Sequence, residues 1–351
     1  MTIKCYVIGL SRVFTRKFIM QIASPYLLFI GDATDQLSIK MARGAADWRP
    51  ELCIGEYSVN GCTVSTGLKN ITTKAAADKG AKSFVLGFAN SGGVLDKKWI
   101  PYILEAMDNG MDIVSGLHNK LSDFPEIVAK AQETQKKLLD IRHPSAKFVT
   151  GTGVKRKGRR LLTVGTDCSV GKMYTSLSLE KSMKKFGLSV DFRATGQCGI
   201  LIAGEGVAID CVISDFLSGA SESLSPSNTD DHWDIIEGQG SLSHPAFAGV
   251  SLGLLHGSQP DALVICHDLN RTHMRGLPES QFPSIETTIE LNLQAAQLTN
   301  ANAKVVGITV NTSSVSAEEG LRICAQLSER FNLPCVDPLR SGADSIVKAC
   351  M

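Results

Sequence analysis

Leu161-Leu162-Thr163-Val164-Gly165-Thr166-Asp167-Cys168-Ser169-Val170-Gly171-Lys172-Met173-Tyr174 decides how the second half of the chain folds. Its first four residues are apolar or β-branched and read as a buried strand. A loop bounded by Gly165 and Gly171 follows, and Lys172 opens a helical pattern. A polyphosphate asks for this arrangement. Successive backbone N–H groups curl around the anion, the helix N-terminus adds partial positive charge, and the lysine neutralises phosphate oxygens. The expected cofactor-binding segment is therefore Gly165, Thr166, Asp167, Cys168, Ser169, Val170, Gly171, Lys172, Met173 and Tyr174. It departs from the common pattern in two ways. Five residues separate the glycines, one more than usual. Met173 stands where a Ser or Thr would ligate Mg²⁺, and a thioether is a poor partner for a hard cation. Such a loop can hold a diphosphate, but it lacks one metal ligand that phosphoryl transfer uses.

Outward from this stretch, short aliphatic runs alternate with helical patterns. Strands are expected at 3–8, 26–30, 83–86 and 113–115, then at 160–164, 189–194, 233–236, 262–266 and 304–309. Helices are expected at 99–109, 124–139, 173–186, 285–298 and 317–330. Strands apolar throughout and separated by helices imply parallel sheets covered on both faces. The expected fold is α/β: an N-terminal Rossmann-like domain (1–145) and a C-terminal P-loop NTPase-like doubly wound parallel sheet domain (146–351). His143-Pro144 stops the preceding helix, and Gly151, Gly153 and Gly158 loosen the junction. The basic run Lys155, Arg156, Lys157, Arg159 and Arg160 in that junction reads as a solvated linker rather than a polyanion contact.

The 351 residues carry 36 Lys+Arg against 35 Asp+Glu, which removes the bulk electrostatic case for a nucleic-acid or membrane-surface protein. No apolar run is long enough to span a membrane. The ten cysteines are scattered without a C-x-x-C pair and read as small buried hydrophobes in a reducing compartment, so a cytoplasmic location is expected. Large α/β enzymes commonly form symmetric oligomers, and a homo-oligomer is expected on that ground.

Trp233-Asp234-Ile235-Ile236-Glu237-Gly238-Gln239-Gly240 is a second strand that ends in an acid followed by glycines. With the loop at Gly165–Lys172 it is similar to dethiobiotin synthetase. Glu237 then sits at a strand C-terminus beside the phosphate loop, where open α/β sheets build their sites. It can ligate a metal, act as a general base or orient backbone there. Further motifs run along both halves: Gly44-Ala45-Ala46-Asp47-Trp48-Arg49-Pro50, Gly92-Gly93, Ser115-Gly116-Leu117-His118, Arg193-Ala194-Thr195-Gly196-Gln197, Ser214-Asp215-Phe216 and Ser243-His244-Pro245. Together they resemble the DgcN-type D-glutamate N-acetyltransferase family across essentially the whole chain. The resemblance implies acetyl transfer from acetyl-CoA, as acyl donor, to the amino group of D-glutamate. No tightly bound cofactor or metal is expected. An ATP-dependent ligase or kinase of the dethiobiotin synthetase type, or a non-catalytic nucleotide-binding regulator, would also use the loop.

Acetyl transfer to an amine needs a base for the amine proton and donors for the oxyanion, and glutamate adds two carboxylates to anchor. Glu237 is the first candidate base and His267 or Asp268 the second. Arg193 and Arg271 are the expected carboxylate anchors, with Thr195 and Gln197 pointing the same way as Arg193 at the sheet edge. His267, Asp268 and His273 match no standard metal cage. Cys168, near a helix N-terminus, is a conceivable acetyl-cysteine nucleophile but reads better as a loop filler. Asp210 and Asp215 line the site or cap and solvate. In the N-terminal half, Asp32 stands where a ribose-binding acid would, without the glycine fingerprint that should precede it, while Lys40, Arg43 and His118 are placed to close over the cleft.

Overall fold

A computed structural model of the chain describes residues 22–36, 38–88, 93–144 and 146–351. The strand expected at 3–8, Cys5 and Gly92 lie outside the described residues.

The first half builds a five-stranded parallel sheet from β1 (Tyr26–Gly31), β2 (Cys53–Ser58), β3 (Ser83–Leu86), β4 (Asp112–Ser115) and β5 (Leu138–Asp140), in the order β2-β1-β3-β4-β5. Helices α1 (Lys40–Trp48), α2 (Thr73–Asp78), α3 (Ile100–Asp108) and α4 (Pro125–Thr134) connect the strands. Two of these strands were not foreseen. Cys53–Ser58 is mixed in polarity, and its Glu56 is buried because Ser65 and Thr66 hydrogen-bond its carboxylate. The helix expected over 124–139 stops at Thr134, Gln135 takes a left-handed conformation (φ 54°), and the Leu138-Leu139 pair joins the sheet edge. A short apolar pair fits either period, so the sequence pattern there is ambiguous.

The second half contains β6 (Arg159–Gly165), α5 (Lys172–Lys185), β7 (Val190–Arg193), α6 (Gln197–Ala203), α7 (Ser214–Leu224), β8 (Trp233–Ile236), α8 (Ala248–Ser258) and β9 (Ala262–Asp268). A hairpin, β10 (His273–Met274) and β11 (Leu277–Gln281), precedes α9 (Ile285–Gln297), β12 (Lys304–Asn311), α10 (Ala317–Phe331), β13 (Cys335–Val336) and α11 (Asp344–Cys350). Six parallel strands run in the order β13-β12-β9-β6-β8-β7, so the strand carrying the phosphate loop is central. Period-2 alternation divides its apolar side chains. Leu162, Ile236, Leu263 and Ile308 pack under α7, α8, α9 and α10, while Leu161, Ile235, Val264 and Val306 pack under α5 and α11.

A third core joins the two sheets. Leu28, Ile30, Met41 and Ala45 of the first half pack with Phe192, Ile200 and Leu201 of the second, all at most 8% exposed. Burying such side chains is worth about 1.5–3 kcal/mol each, so the two halves are held by shared apolar area. The basic run at the junction departs in part from the solvated-linker reading. Arg160 is fully buried and donates to the carbonyl oxygens of Arg156 and Lys157, Arg156 reaches those of Gly257 and Ser258, and Lys155 pairs with Asp261. Arg160 and Arg156 thus tie the end of the junction down, Arg156 onto α8, while Lys155, Lys157 and Arg159 are exposed as a solvated linker would be. Among the described residues no helix is long and apolar enough to cross a membrane, and the cysteines are free thiols, with Cys266, Cys324, Cys335 and Cys350 buried.

Candidate active site

The loop after β6 has the backbone its glycines foretell. Gly171 takes φ 90° as the residue before α5, a conformation that L side chains rarely adopt. Ser169 takes φ 54°. Lys172 is buried, its Nζ donates to the Asp167 carbonyl at 2.8 Å, and burial pulls its pKa below the usual lysine range. The Thr163 hydroxyl bonds Ser176 at 3.0 Å and accepts from the Gly238 N–H at 3.0 Å, tying α5 and the loop after β8 to the central strand. A Cβ at Gly238 would lie 1.7 Å from the Thr163 carbonyl oxygen, so only glycine fits there.

Two residues of the expected segment turn away from the loop. The Met173 methyl lies 3.6 Å from where a Gly44 Cβ would be, and the Tyr174 ring stands 6.0 Å from that of Trp48. Both serve the seam between the halves. Met173 is thus an apolar contact to α1, which explains a thioether where a metal-binding hydroxyl would be expected.

Arg271 does not wait free for a carboxylate. Its Nη1 donates to Asp167 Oδ2 at 2.9 Å and its Nη2 to the Cys168 carbonyl at 2.7 Å. The Arg275 N–H donates to the same Asp167 oxygen at 2.7 Å, and the Arg275 guanidinium bonds the Ser169 hydroxyl. Segment 269–276 therefore clamps the phosphate loop with two guanidinium groups. Burial pushes the Cys168 thiol up despite Lys172 and both arginines nearby, opposite to the thiolate that its place near a helix N-terminus suggested.

Glu237 is the buried carboxylate of the site. It is 4% exposed, and its Oε2 accepts from the Thr195 N–H at 2.9 Å and the Gly196 N–H at 3.1 Å. It orients the turn between β7 and α6, not the phosphate loop. Burial raises its pKa to about 7 against the opposing pull of those two N–H groups and Lys172. A Cβ at Gly199 would lie 2.3 Å from Oε2, so glycine makes room for the carboxylate.

Arg193, Thr195 and Gln197 separate. The Arg193 guanidinium is engaged by Asp234 (2.6 Å) and Asp191 (3.0 Å) at the edge of the sheet. Strand β7 ends at Arg193, so the alternation no longer governs the two residues beyond it. The Thr195 hydroxyl donates to the Glu237 carbonyl at 2.6 Å, and Gln197 opens α6 with its amide oxygen held by Arg142. His267 sits beside the loop, its Nδ1 3.1 Å from the Thr166 hydroxyl, with burial lowering its pKa. Asp268 accepts from the Asn270 N–H at 2.9 Å. Of the residues expected to close from the N-terminal half, Arg43 pairs with Asp47 along α1, while Asp32, the candidate ribose-binding acid, is held by Lys98 at 2.6 Å. The His118 carbonyl lies 2.9 Å from His143 Nε2 within the same half, and burial, with Arg142 nearby, lowers the His118 pKa.

Asp167, Cys168 and His244 offer three ligand atoms within 4.8 Å of one another. Their surroundings suit an anion better than a cation. Arg271, Arg275 and Lys172 surround Asp167, and His244 Nε2 faces the Arg275 carbonyl at 3.1 Å. A divalent ion there would compete with the Arg271 guanidinium for Asp167 and lie near the Arg275 guanidinium on Ser169.

Two family models match the chain, a Rossmann-like domain of unknown function, DUF1611_N, over residues 57–144 and a P-loop domain of unknown function, DUF1611_C, over residues 147–347. A D-glutamate N-acetyltransferase from Pseudoalteromonas sp. is 74% identical over 93% of this chain and 99% of its own length. A D-glutamate N-acetyltransferase from Tritonibacter scottomollicae is 49% identical over 93% of this chain and 98% of its own. A crystal structure of a DUF1611 family protein from Anabaena variabilis superposes with a TM-score of 0.82 at 30% identity, covering 93% of this chain and 99% of that one.

Proposed function

The chain belongs to the DUF1611 family, and from that premise we propose that it is an N-acetyltransferase that moves an acetyl group from acetyl-CoA to the amino group of D-glutamate. The observation that carries the reading is Glu237, a buried carboxylate whose pKa is raised to about 7, next to a phosphate loop whose lysine is followed by methionine. The names of the two relatives, at 74% and 49% identity, supply the substrate.

The loop residues Gly165–Lys172, with Arg271 and Arg275 beside them, are suited to the diphosphate of the coenzyme. Coenzyme A brings phosphates to be held and none to be cleaved, so the missing hydroxyl at position 173 is no handicap. Glu237, whose pKa burial raises to about 7, takes a proton from the substrate ammonium. The freed amine nitrogen bonds the thioester carbonyl carbon, the carbon–sulfur bond breaks, and the second proton leaving the nitrogen passes to the sulfur, so coenzyme A departs as the thiol. On this reading transfer runs directly to the amine, and Cys168, whose thiol is pushed up by burial, serves as a loop residue. His267 and Asp268 stay in reserve as bases on the far side of the loop. On this reading no resident metal is needed, the protein works in the cytoplasm, and it assembles as a homo-oligomer.

The test is to incubate the protein with D-glutamate and acetyl-CoA while following free thiol, and separately with ATP and Mg²⁺ while following ADP. Thiol release that depends on D-glutamate supports the reading. ADP release without it would replace the reading with a ligase or kinase.

A further inference from the structure

The seam between the two halves carries a cation with no part in the chemistry described so far. Arg142 lies just beyond β5, at the C-terminal edge of the first sheet. Its Nη1 donates to Gln197 Oε1 at 3.1 Å and its Nη2 to Asp210 Oδ2 at 2.5 Å. Its side chain is 14% exposed, and Nε is buried without a hydrogen-bond partner among the described residues. Its two partners differ. Gln197 is fixed: it opens α6, directly after the Gly196 N–H that holds Glu237, and its Cβ lies 3.2 Å from where a Gly116 Cβ would be. Asp210 is exposed, so it can be released to water at little cost.

We propose that Arg142 anchors the distal carboxylate of the amino-acid substrate, with Asp210 as a resident stand-in that the carboxylate displaces. The inference rests on the acetyl-transfer reading above. It makes the N-terminal half the specificity element of the site and the second half its acetyl-transfer machinery. Chemistry supports the division. In a glutamate the amine and the distal carboxylate are four bonds apart, so the base and the anchor must be separate groups on neighbouring supports. Glu237 and Arg142 are held by consecutive residues of one turn, Thr195 to Gln197. A guanidinium matches a carboxylate in a forked geometry, whereas a carboxamide offers it one acceptor oxygen and two hydrogens that repel.

The experiment measures KM and kcat for D-glutamate and D-glutamine, and KM for acetyl-CoA, in the wild type, Arg142→Gln and Asp210→Asn. Arg142→Gln is expected to raise KM for D-glutamate about 50-fold or more. It should collapse the preference over D-glutamine and leave KM for acetyl-CoA within about twofold. Asp210→Asn, which removes the competing carboxylate, is expected to lower KM for D-glutamate. A merely structural bridge would make the two variants shift together and keep the substrate preference, and that result overturns the proposal. If Arg142→Gln does not fold, Asp210→Asn decides alone: a lowered KM supports the anchor, and an unchanged or raised one overturns it. A wild type that shows no D-glutamate-dependent thiol release overturns the acetyl-transfer reading and the anchor with it, whereas turnover with an unaltered preference in Arg142→Gln overturns the anchor alone.

Discussion

Arg271 Nη1 lies 2.9 Å from Asp167 Oδ2, and through this contact the segment after β9 grips the middle of the phosphate loop. Asp167 has no exposed surface, while the Arg271 side chain is 22% exposed. Removing the arginine leaves a buried carboxylate with the Arg275 N–H but without its cationic partner. Arg271→Ala is expected to cost about 2 kcal/mol in denaturant unfolding, less than a fully enclosed pair because the guanidinium is partly screened by solvent. It should raise KM for acetyl-CoA more than KM for D-glutamate. An equal rise in both would mean that Arg271 anchors the amino acid after all.

Glu237 links activity and stability to pH with opposite signs. As a base whose pKa is raised to about 7, it should make kcat/KM climb with pH up to about 7 and level off above. Glu237→Gln should lose about 10²–10⁴-fold in rate and the climb with it. For stability, the fold favours the protonated carboxyl. The contribution is complete below the unfolded-state pKa, near 4.5, and is lost as pH rises through about 7. Urea unfolding at pH 5 and pH 8 should show Glu237→Gln gaining on the wild type at the higher pH, by an upper bound of about 3 kcal/mol. No difference between the two pH values would contradict the raised pKa.

Met173 packs toward Gly44, so restoring a hydroxyl there should not restore metal chemistry. Met173→Thr is expected to destabilise the protein by about 1–2 kcal/mol through lost apolar contact at the seam. It should yield no Mg²⁺-dependent release of phosphate from ATP, as checked with a phosphate assay. Appearance of that activity would show that position 173 faces the ligand.

The strand–loop–helix around Lys172 and the acid that ends β8 were legible in the sequence because each depends on local pattern: an apolar run, glycines at left-handed positions, and a carboxylate at a strand end. The carboxylate partners of Arg193 and Arg271 were not legible, for a different reason. Which carboxylate an arginine meets depends on strand order and on the return of the hairpin, and Asp234 and Asp167 lie 41 and 104 residues from their partners. Arg142 escaped notice because it lies in what composition marks as a junction, and only the packing of α6 against the first sheet brings Gln197 to it. Met173 signalled the missing metal ligand, but its role as a seam contact needed the position of α1.

On this account the phosphate loop holds the acyl donor. The most direct measurement is steady-state KM for acetyl-CoA in the wild type and Lys172→Ala, with D-glutamate saturating. Loss of a buried, charge-assisted phosphate contact should raise KM for acetyl-CoA at least about tenfold and leave KM for D-glutamate nearly unchanged. An unaltered KM for acetyl-CoA would contradict it.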